Sequence, residues 1–167
     1  CMGYEIAAGL GVKLADPARD DFVMVGDGSY LMMNSEIATS VALGLKITII
    51  VLDNRGFGCI NRLQQGTGGK PFNNLLDPAA PHVDFTAHAI SLGAVAEKIG
   101  GIAELPAAIK RAKSADRTTV IVIDTDPAVS TKEGGAWWDV AVPEVSSLET
   151  VRTARQSYEK AQKRQKI

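Results

Sequence analysis

The sequence predicts an α/β domain of three layers, in which a doubly wound, mostly parallel sheet lies between helices. Three short apolar segments carry this prediction: FVMVG (22–26), ITIIVL (47–52) and TVIVIDT (119–125). Each has the length and composition of a buried strand. The segments between them have apolar residues at helical spacing, and strands that alternate with helices are typical of doubly wound sheets.

Composition narrows the class of function. The chain has 167 residues, of which 46% are hydrophobic, enough to build a core. A net charge of −1 gives no electrostatic argument for binding nucleic acid or an anionic membrane. The apolar stretch 47–52 is far too short to span a bilayer. Cys1 and Cys59 form no metal-type spacing and no disulfide framework, so we expect a cytoplasmic protein.

The chain opens on a predicted helix, CMGYEIAAGLGVKLA (1–15), whose inward face carries Ala7, Leu10 and Leu14. Pro17 ends this helix. Because the helix is already under way at Cys1, where a natural chain would begin with Met, we expect the sequence to be a piece of a larger protein. A complete small protein is the alternative.

The first strands and the helix between them form a predicted βαβ unit. The apolar residues of 22–26 do not alternate with polar ones, so we expect this strand to be buried on both faces. A helix over 35–45 leads to the second buried strand, 47–52. The inward residues of that helix are Ile37, Val41 and Leu45. Strand, helix and strand within about 30 residues predict a parallel pair with a right-handed crossover.

The alternation resumes after a long predicted loop over 66–82, which is rich in Gly, Pro and Asn. Asp84 is predicted to cap a helix that ends just before Gly93. The inward residues of this helix are Phe85, Ala89 and Leu92. The remaining predicted elements are a strand at 94–99, a helix at 105–115 and the strand at 119–125.

We place the domain over residues 1–145 and a helical tail over 146–167. Residues 136–145 are predicted to be extended, with Trp137 and Trp138 either buried or packed against another domain. Ser146 and Glu149 form a predicted capping box for the last helix. The thin apolar stripe of that helix is Val151, Ala154, Tyr158 and Ala161.

Polar clusters follow the first two strands: GDGS (26–29) and DNRG (53–56). Ligands of an open parallel sheet bind outside the carboxyl ends of its strands. If the two strands are neighbours, Asp27 and Asn54 face the same small volume. A carboxylate oxygen, an amide oxygen and a nearby backbone carbonyl suit Mg²⁺, which completes its octahedron with phosphate oxygens and water.

Gly28 and Ser29 stand where the next helix opens, so free N–H groups there favour an anion. A diphosphate bridged by Mg²⁺ accounts for both clusters together. Alone, the sequence Gly-Asp-Gly is also an ordinary turn. Gly26 and Gly28 are not followed by the third glycine of the dinucleotide-binding fingerprint, so a nucleotide-binding Rossmann site is poorly supported.

The two clusters together resemble the motif of the thiamine diphosphate-dependent enzymes, in which GDG is followed after 25 to 30 residues by Asn. Here 25 residues separate Gly28 from Asn54. The resemblance implies that thiamine diphosphate and Mg²⁺ bind, and that the metal ligands are Asp27, the Asn54 side chain and the Gly56 carbonyl. Gly26, Gly28 and Ser29 would contact the cofactor. One departure is Asp53, where this family often has Asn.

The opening segment 1–15 also resembles a stretch of this family. That resemblance implies that Met2 supports the bent cofactor from beneath its thiazolium ring; filling of the core is the alternative. Phe57, and the loop onward to Asn61, Arg62 and Gln65, would lie near the reacting ring. A solvated loop charge is the alternative for Arg62.

The chain resembles one subfamily in particular, the trihydroxycyclohexane-1,2-dione hydrolases. The segments that carry this resemblance are VGDGSYLMMNSEI, LDNRGFGCINRLQ and the tail from Trp137. This implies cofactor-dependent C–C bond cleavage, in which a cyclic diketone is opened to 5-deoxy-glucuronate during inositol catabolism. The alternatives are a decarboxylase of 2-oxo acids or malonic semialdehyde, and an enzyme like acetolactate synthase. A standalone diphosphate-binding subunit without catalysis is a further alternative.

The resemblance also implies partners. The glutamate that activates the cofactor belongs to a pyrimidine-binding domain, of the same or another chain, in a homodimer or homotetramer. That domain is not found here, so no catalytic residue is assigned, and we expect these residues alone to be inactive toward their small-molecule substrate. Glu5, on the opening helix, does not take this role. Of the two histidines, His82 lies in a loop that could approach the site, and His88 is expected to be structural.

Overall fold

The computed structural model describes residues 1–129 and 140–164. These residues form two compact units, Cys1–Gly56 with Asp77–Asp126, and Phe57–Leu76 with Pro127–Ile167. In chain order the elements are α1 (Glu5–Ala15), β1 (Phe22–Gly26), α2 (Asp27–Met32), α3 (Glu36–Ala42), β2 (Thr48–Asp53), α4 (Gly58–Gly66), α5 (Phe85–Ser91), β3 (Val95–Ile99), a 3₁₀ turn (Ile102–Glu104), α6 (Leu105–Ser114), β4 (Thr119–Asp124) and α7 (Glu149–Gln162). The predicted boundary at residue 145 stays a prediction.

The first unit confirms the predicted fold class. Its four strands are all parallel, in the order β1-β2-β4-β3. One face of the sheet packs against α1, α3 and α5 through a core that includes Ile6, Ile37 and Phe85. The other face packs against α6 through Ala108 and Ala112. The sheet therefore lies between two helical layers, as the alternation of segments predicts.

The prediction that β1 is buried on both faces is wrong. Val23 and Val25 are buried, whereas Phe22 and Met24 are exposed. The cause is topological: β1 lies at the edge of the described sheet, and α6 packs on β2, β3 and β4. Each strand sends alternate residues to opposite faces, so an edge strand beyond the covering helix exposes every second side chain.

The opening helix begins at Glu5, and its predicted inward face is confirmed at Leu10 and wrong at Leu14. Ile6, Leu10 and Lys13 are buried, and Leu14 is exposed. Gly9 faces β1 so closely that an added Cβ would collide with the Val23 side chain. The helix carries apolar residues on more than one face, so spacing alone did not select the correct one.

Two helices, not one, connect β1 to β2. The helix predicted to open at Gly28 and Ser29 is the short α2, and the predicted helix over 35–45 is the separate and shorter α3. The prediction of a loop onward from Gly56 is also wrong, because α4 occupies Gly58–Gly66. In contrast, the cap of α5 is confirmed: Asp84 Oδ1 accepts a hydrogen bond from the Ala87 N–H at 2.8 Å. Gly93 follows that helix with φ of 88°.

The second unit contains α4 and α7. The predicted apolar stripe of α7 is confirmed, since Val151 is buried and Ala154, Tyr158 and Ala161 are half-buried. The predicted capping box is wrong, because Ser146 Oγ accepts from the Leu148 N–H at 3.1 Å and the Glu149 carboxylate pairs with Arg152. Trp137 and Trp138 lie outside the described residues. None of the described helices has the length and apolar character needed to cross a membrane.

Candidate cation and diphosphate site

The two polar clusters meet at the carboxyl ends of β1 and β2, which are neighbours in the sheet. Asp27 begins α2 directly after β1, and Asn54 and Gly56 follow the last residue of β2. The structure therefore brings together the three residues that the sequence predicts as metal ligands. Their role as ligands stays a prediction.

Three oxygen atoms converge at this edge. The Asn54 side-chain oxygen lies 2.8 Å from the Gly56 carbonyl oxygen and 3.3 Å from Asp27 Oδ1. The other carboxylate oxygen, Asp27 Oδ2, accepts a hydrogen bond from the Gly56 N–H at 2.6 Å. Gly56 thus donates its N–H to Asp27, and its carbonyl oxygen lies next to the Asn54 side chain.

Oxygens this close repel one another unless a positive charge or a donor lies between them. A half-turn of the Asn54 amide supplies the donor, because its NH₂ group then donates to Gly56 O and Asp27 Oδ1. A cation is the other solution. Adjacent oxygens of an Mg²⁺ octahedron with bonds of 2.0–2.1 Å lie about 2.9 Å apart. The observed spacings are close to that value, so the residues fit the metal.

Burial keeps the Asp27 carboxylate in an unfavourable environment. The residue is 4% exposed, and this desolvation raises the pKa of its carboxyl. The Gly56 N–H opposes the rise in pKa, and the nearby negative charge of Asp53 adds to it. A buried carboxylate whose charged form is destabilised in this way is typical of functional sites.

The predicted anion-binding residues lie next to these oxygens in the chain. Gly28 and Ser29 are buried in the first turn of α2. An added Cβ at Gly26 would meet nothing within 4 Å, so there is open space beside the end of β1. Contacts of all three residues with a diphosphate stay predictions.

Met2 precedes α1 and does not fill the core, because it is 43% exposed. Its neighbour Gly3 has φ of 86°, and an added Cβ would lie in a tight contact, 3.1 Å from Met32 Cβ. The same Cβ would lie 3.8 Å from the Ser29 carbonyl oxygen. The segment before α1 therefore lies beside α2, and support of a cofactor by Met2 stays a prediction.

Phe57 and Arg62 belong to the second unit, where Phe57 directly precedes α4. Arg62 is not a solvated loop charge: Nη2 donates to Cys59 Sγ at 3.2 Å and Nη1 to the Pro127 carbonyl at 3.4 Å. Asn61 is buried and Gln65 lies in the last turn of α4. Contact of these residues with a reacting ring stays a prediction.

The two histidines lie in different surroundings. His82 lines a cleft of about 590 Å³ together with Asp53 and Lys98. His88 is on α5, and its Nδ1 lies 2.9 Å from the hydroxyl of the fully buried Tyr30. That hydrogen bond fits the structural role expected of His88.

Sequence reasoning missed the importance of Asp53. The residue is 6% exposed, and its Oδ1 accepts a hydrogen bond from the Arg55 N–H at 2.9 Å. Arg55 has φ of 63°, a left-handed conformation that residues with a side chain rarely adopt. A carboxylate two residues before a tight turn was the available signal, because Asp often bonds the backbone two residues on.

Comparison with known proteins shows to which protein family the chain belongs. Residues 1–123 match the family described as "Thiamine pyrophosphate enzyme, C-terminal TPP binding domain". The match extends over well more than half of the chain, so the chain belongs to this family. Thiamine pyrophosphate is the same compound as thiamine diphosphate, and the family resemblance found in the sequence is confirmed.

Curated relatives narrow the comparison further. A protein of Bacillus cereus named 3D-(3,5/4)-trihydroxycyclohexane-1,2-dione hydrolase 2 is 40% identical over 94% of this chain and 26% of its own length. A hydrolase of the same name from Bacillus licheniformis is 40% identical over 96% of this chain and 26% of its own length. The chain therefore spans about a quarter of the length of these relatives.

A solved structure shows the same fold. The thiamine diphosphate-dependent 4-hydroxybenzoylformate decarboxylase of Rhodococcus jostii RHA1 superimposes with a TM-score of 0.65 at 25% identity. The match covers 75% of this chain and 23% of the decarboxylase.

Proposed function

We propose that this chain supplies the magnesium- and diphosphate-binding half of a thiamine diphosphate site, in an enzyme that hydrolyses 3D-(3,5/4)-trihydroxycyclohexane-1,2-dione to 5-deoxy-glucuronate. The meeting of the Asp27 carboxylate, the Asn54 side-chain amide and the Gly56 carbonyl at one edge of the sheet, with the amide 2.8 Å from Gly56 O and 3.3 Å from Asp27 Oδ1, carries the cation part of the proposal. Identity of 40% to hydrolases of this name, over nearly the whole chain, supports the substrate. The pathway would then be inositol catabolism.

In this proposal each residue of the edge has a separate task. Asp27 neutralises part of the metal charge, and the Asn54 side chain and Gly56 carbonyl complete its protein ligands. The Gly28 and Ser29 N–H groups bind the diphosphate at the opening of α2. When bound, thiamine diphosphate supplies the nucleophilic carbon and the electron sink for C–C bond cleavage. The protein binds and orients it through these contacts.

The remainder of the site would come from elsewhere. We propose that a pyrimidine-binding domain, of the same or another chain, supplies the activating glutamate, and that the active protein is a cytoplasmic homodimer or homotetramer. Support comes from the family and from the length of the relatives, of which this chain corresponds to about a quarter.

Decarboxylation of a 2-oxo acid is the second candidate function. The specific observation in its favour is the solved decarboxylase, which shares the fold and 25% of the aligned residues. Malonic semialdehyde decarboxylation and acetolactate synthesis would use the same cation and diphosphate site, so the geometry of the edge does not separate them from hydrolysis.

The test uses the intact gene product that contains these residues, with thiamine diphosphate and Mg²⁺. Loss of the dione is followed beside CO₂ release from 2-oxo acids and malonic semialdehyde. We expect dione loss that requires the cofactor and disappears in Asp27→Ala. Asp116→Ala, which removes an exposed carboxylate paired with Arg117, is the matched control and should retain activity.

Other outcomes reject parts of the proposal. CO₂ release without dione loss rejects the hydrolase and leaves the cofactor site. Cofactor binding without turnover of any substrate favours a non-catalytic diphosphate-binding subunit. Full activity in Asp27→Ala rejects the cation site itself.

A further inference from the structure

Hydrogen bonds hold both the main chain and the side chain of Asp53. It is the last residue of β2, and its carbonyl oxygen accepts a hydrogen bond from the Thr125 N–H, just past β4, at 2.8 Å. Its side chain reaches forward, where Oδ1 accepts from the Arg55 N–H at 2.9 Å. The sheet therefore fixes the main chain of Asp53, and the Asp53 side chain fixes the turn that follows.

That turn has an unfavourable backbone conformation. Arg55 has φ of 63°, in the left-handed region that is sterically unfavourable for a residue with a Cβ. Because Arg55 lies between Asn54 and Gly56, its φ and ψ angles set the direction of the Asn54 side chain relative to the Gly56 carbonyl. The hydrogen bond that Asp53 accepts from the Arg55 N–H therefore stabilises the arrangement in which those two groups point to one place.

Two carboxylates hold consecutive amides of this turn. Asp53 accepts from the Arg55 N–H, and Asp27 accepts from the Gly56 N–H at 2.6 Å. With these two acceptors in place, the Asn54 side chain lies within 2.8 Å of the Gly56 carbonyl oxygen and 3.3 Å of Asp27 Oδ1. Of the two carboxylates, only Asp27 contributes one of the three converging oxygens. Asp53 therefore acts on those oxygens through the backbone.

We propose that Asp53 is a positioning residue of the cation site, which holds Arg55 in its left-handed conformation so that the Asn54 and Gly56 oxygens converge on Asp27. This rests on the proposed function, since the cation is the ligand of that site. The competing explanation is electrostatic: the negative charge of Asp53 would attract the cation from a distance. The two explanations differ in what an uncharged acceptor at position 53 should do.

Mn²⁺ binding to the intact gene product, followed by electron paramagnetic resonance without substrate or cofactor, separates them. Asp53→Ala removes the acceptor and the charge, and we expect its dissociation constant to rise roughly tenfold or more. Asp53→Asn removes the charge and keeps an acceptor oxygen, and we expect it to stay within roughly threefold of the wild type. Equal losses in both variants would overturn the positioning role in favour of charge.

A rescue experiment tests the backbone directly. Gly adopts φ of 63° without the steric penalty of a Cβ. Adding Arg55→Gly to Asp53→Ala should therefore restore most of the lost Mn²⁺ affinity. A folded double variant that binds no better than Asp53→Ala would contradict the proposal.

The remaining outcomes are also decisive. If Asp53→Ala does not fold by circular dichroism, Asp53→Ser and Asp53→Val take its place, because Ser retains an acceptor oxygen and Val does not. If the Asp53→Val variant then binds Mn²⁺ as tightly as the Asp53→Ser variant, the inference is rejected. Wild-type affinity in a folded Asp53→Ala rejects the positioning role alone. Absence of Mn²⁺ binding in the wild type rejects the cation site and this inference with it.

Discussion

At the scale of single residues, the Asp27 carboxylate has two properties, its burial and its negative charge. Burial raises the pKa of the group, so the charged form is destabilised. A bound cation would stabilise that charged form. A residue of this kind should contribute to function at the expense of the stability of the metal-free protein.

Replacement of Asp27 by Asn separates the two properties. We expect Mn²⁺ affinity to fall roughly 100-fold or more, because a neutral amide replaces the charged ligand. The metal-free protein should unfold at the same temperature or higher, because the amide still accepts from the Gly56 N–H and carries no buried charge. Calorimetric titration with Mn²⁺ and thermal unfolding without metal measure the two effects.

Asp20→Asn is the matched control, since it removes an exposed carboxylate that pairs with Lys113 at the surface. It should change neither the affinity nor the unfolding temperature measurably. An Asp27→Asn protein that binds Mn²⁺ normally would contradict the assignment of Asp27 as a ligand.

Tyr30 gives a pH-dependent prediction at the same scale. Burial raises the pKa of its hydroxyl to about 12. Because this value is above the pKa of about 10 in an unfolded chain, neutral Tyr30 stabilises the fold fully below pH 10. The contribution should be lost progressively between pH 10 and 12, with a slope of up to about 1.4 kcal/mol per pH unit.

Urea unfolding of wild type and Tyr30→Phe at several alkaline pH values isolates this slope. Phe cannot ionise, so the difference in unfolding free energy between the two proteins should shrink or reverse from pH 10 to 12. Loss of the hydrogen bond to His88 should destabilise Tyr30→Phe by about 1 kcal/mol at neutral pH. A difference that is independent of pH would show that Tyr30 does not titrate in this range.

At the scale of elements, the contact between α1 and β1 depends on a single missing side chain. Gly9 faces Val23, and an added Cβ would collide with it, whereas an added Cβ at Gly11 of the same helix meets nothing within 4 Å. The two glycines therefore have opposite expected effects, although both lie in one helix.

Gly9→Ala should destabilise the protein by about 1–3 kcal/mol, because α1 must move away from the sheet. Gly11→Ala should stabilise it by up to about 1 kcal/mol, because Ala is the better helix former at an exposed position. Chemical unfolding of the pair measures both. Equal effects of the two substitutions would show that the packing of Gly9 on Val23 does not determine stability.

Elements were predictable from the sequence where a local pattern determines them. The strands β2 and β4 are mostly apolar and buried along almost their full length. The spacing of GDG and Asn54 correctly placed Asp27 beside Asn54. The exposure of Phe22 and Met24 depends on which helix covers which strand, and no local pattern contains that information. The helix α4, GCINRLQQG, begins at a glycine and has no side-chain cap, so no local signal marked its start. The role of Asp53 follows from the φ angle of Arg55, which is a property of the folded backbone.

At the scale of the whole molecule, the proposed site would be one part of a larger one. The chain spans about a quarter of the length of its curated relatives. It belongs to a family of thiamine pyrophosphate-binding domains, and the oxygens at the carboxyl ends of β1 and β2 would hold the metal of that cofactor. Binding of the ligand should therefore be visible in the stability of the protein even where catalysis is not.

Thiamine diphosphate with Mg²⁺ should raise the unfolding temperature of the intact gene product. At 100 times the dissociation constant, a ligand that binds only the folded state adds about 2.7 kcal/mol. For a protein of this size or larger, we expect a shift of several degrees, roughly 2–4 °C for each kcal/mol. Mg²⁺ alone should give a smaller shift, and Asp27→Ala should give none. A shift of normal size in Asp27→Ala would place the ligand elsewhere.

The Asn54 amide has a consequence for ion selectivity. With the site empty, its NH₂ group can donate to Gly56 O and Asp27 Oδ1, and a cation must displace both hydrogen bonds to reach the oxygens. A potassium ion is weakly attracted and too large for the spacing, so it gains too little to displace these hydrogen bonds. A small divalent ion gains enough to displace them. The amide would then compete with a cation for these oxygens and would select against monovalent ions. In a nitrogen-15 spectrum, the Asn54 side-chain signal should move on addition of Mg²⁺ and stay in place in K⁺; movement in both salts would show that the amide does not select.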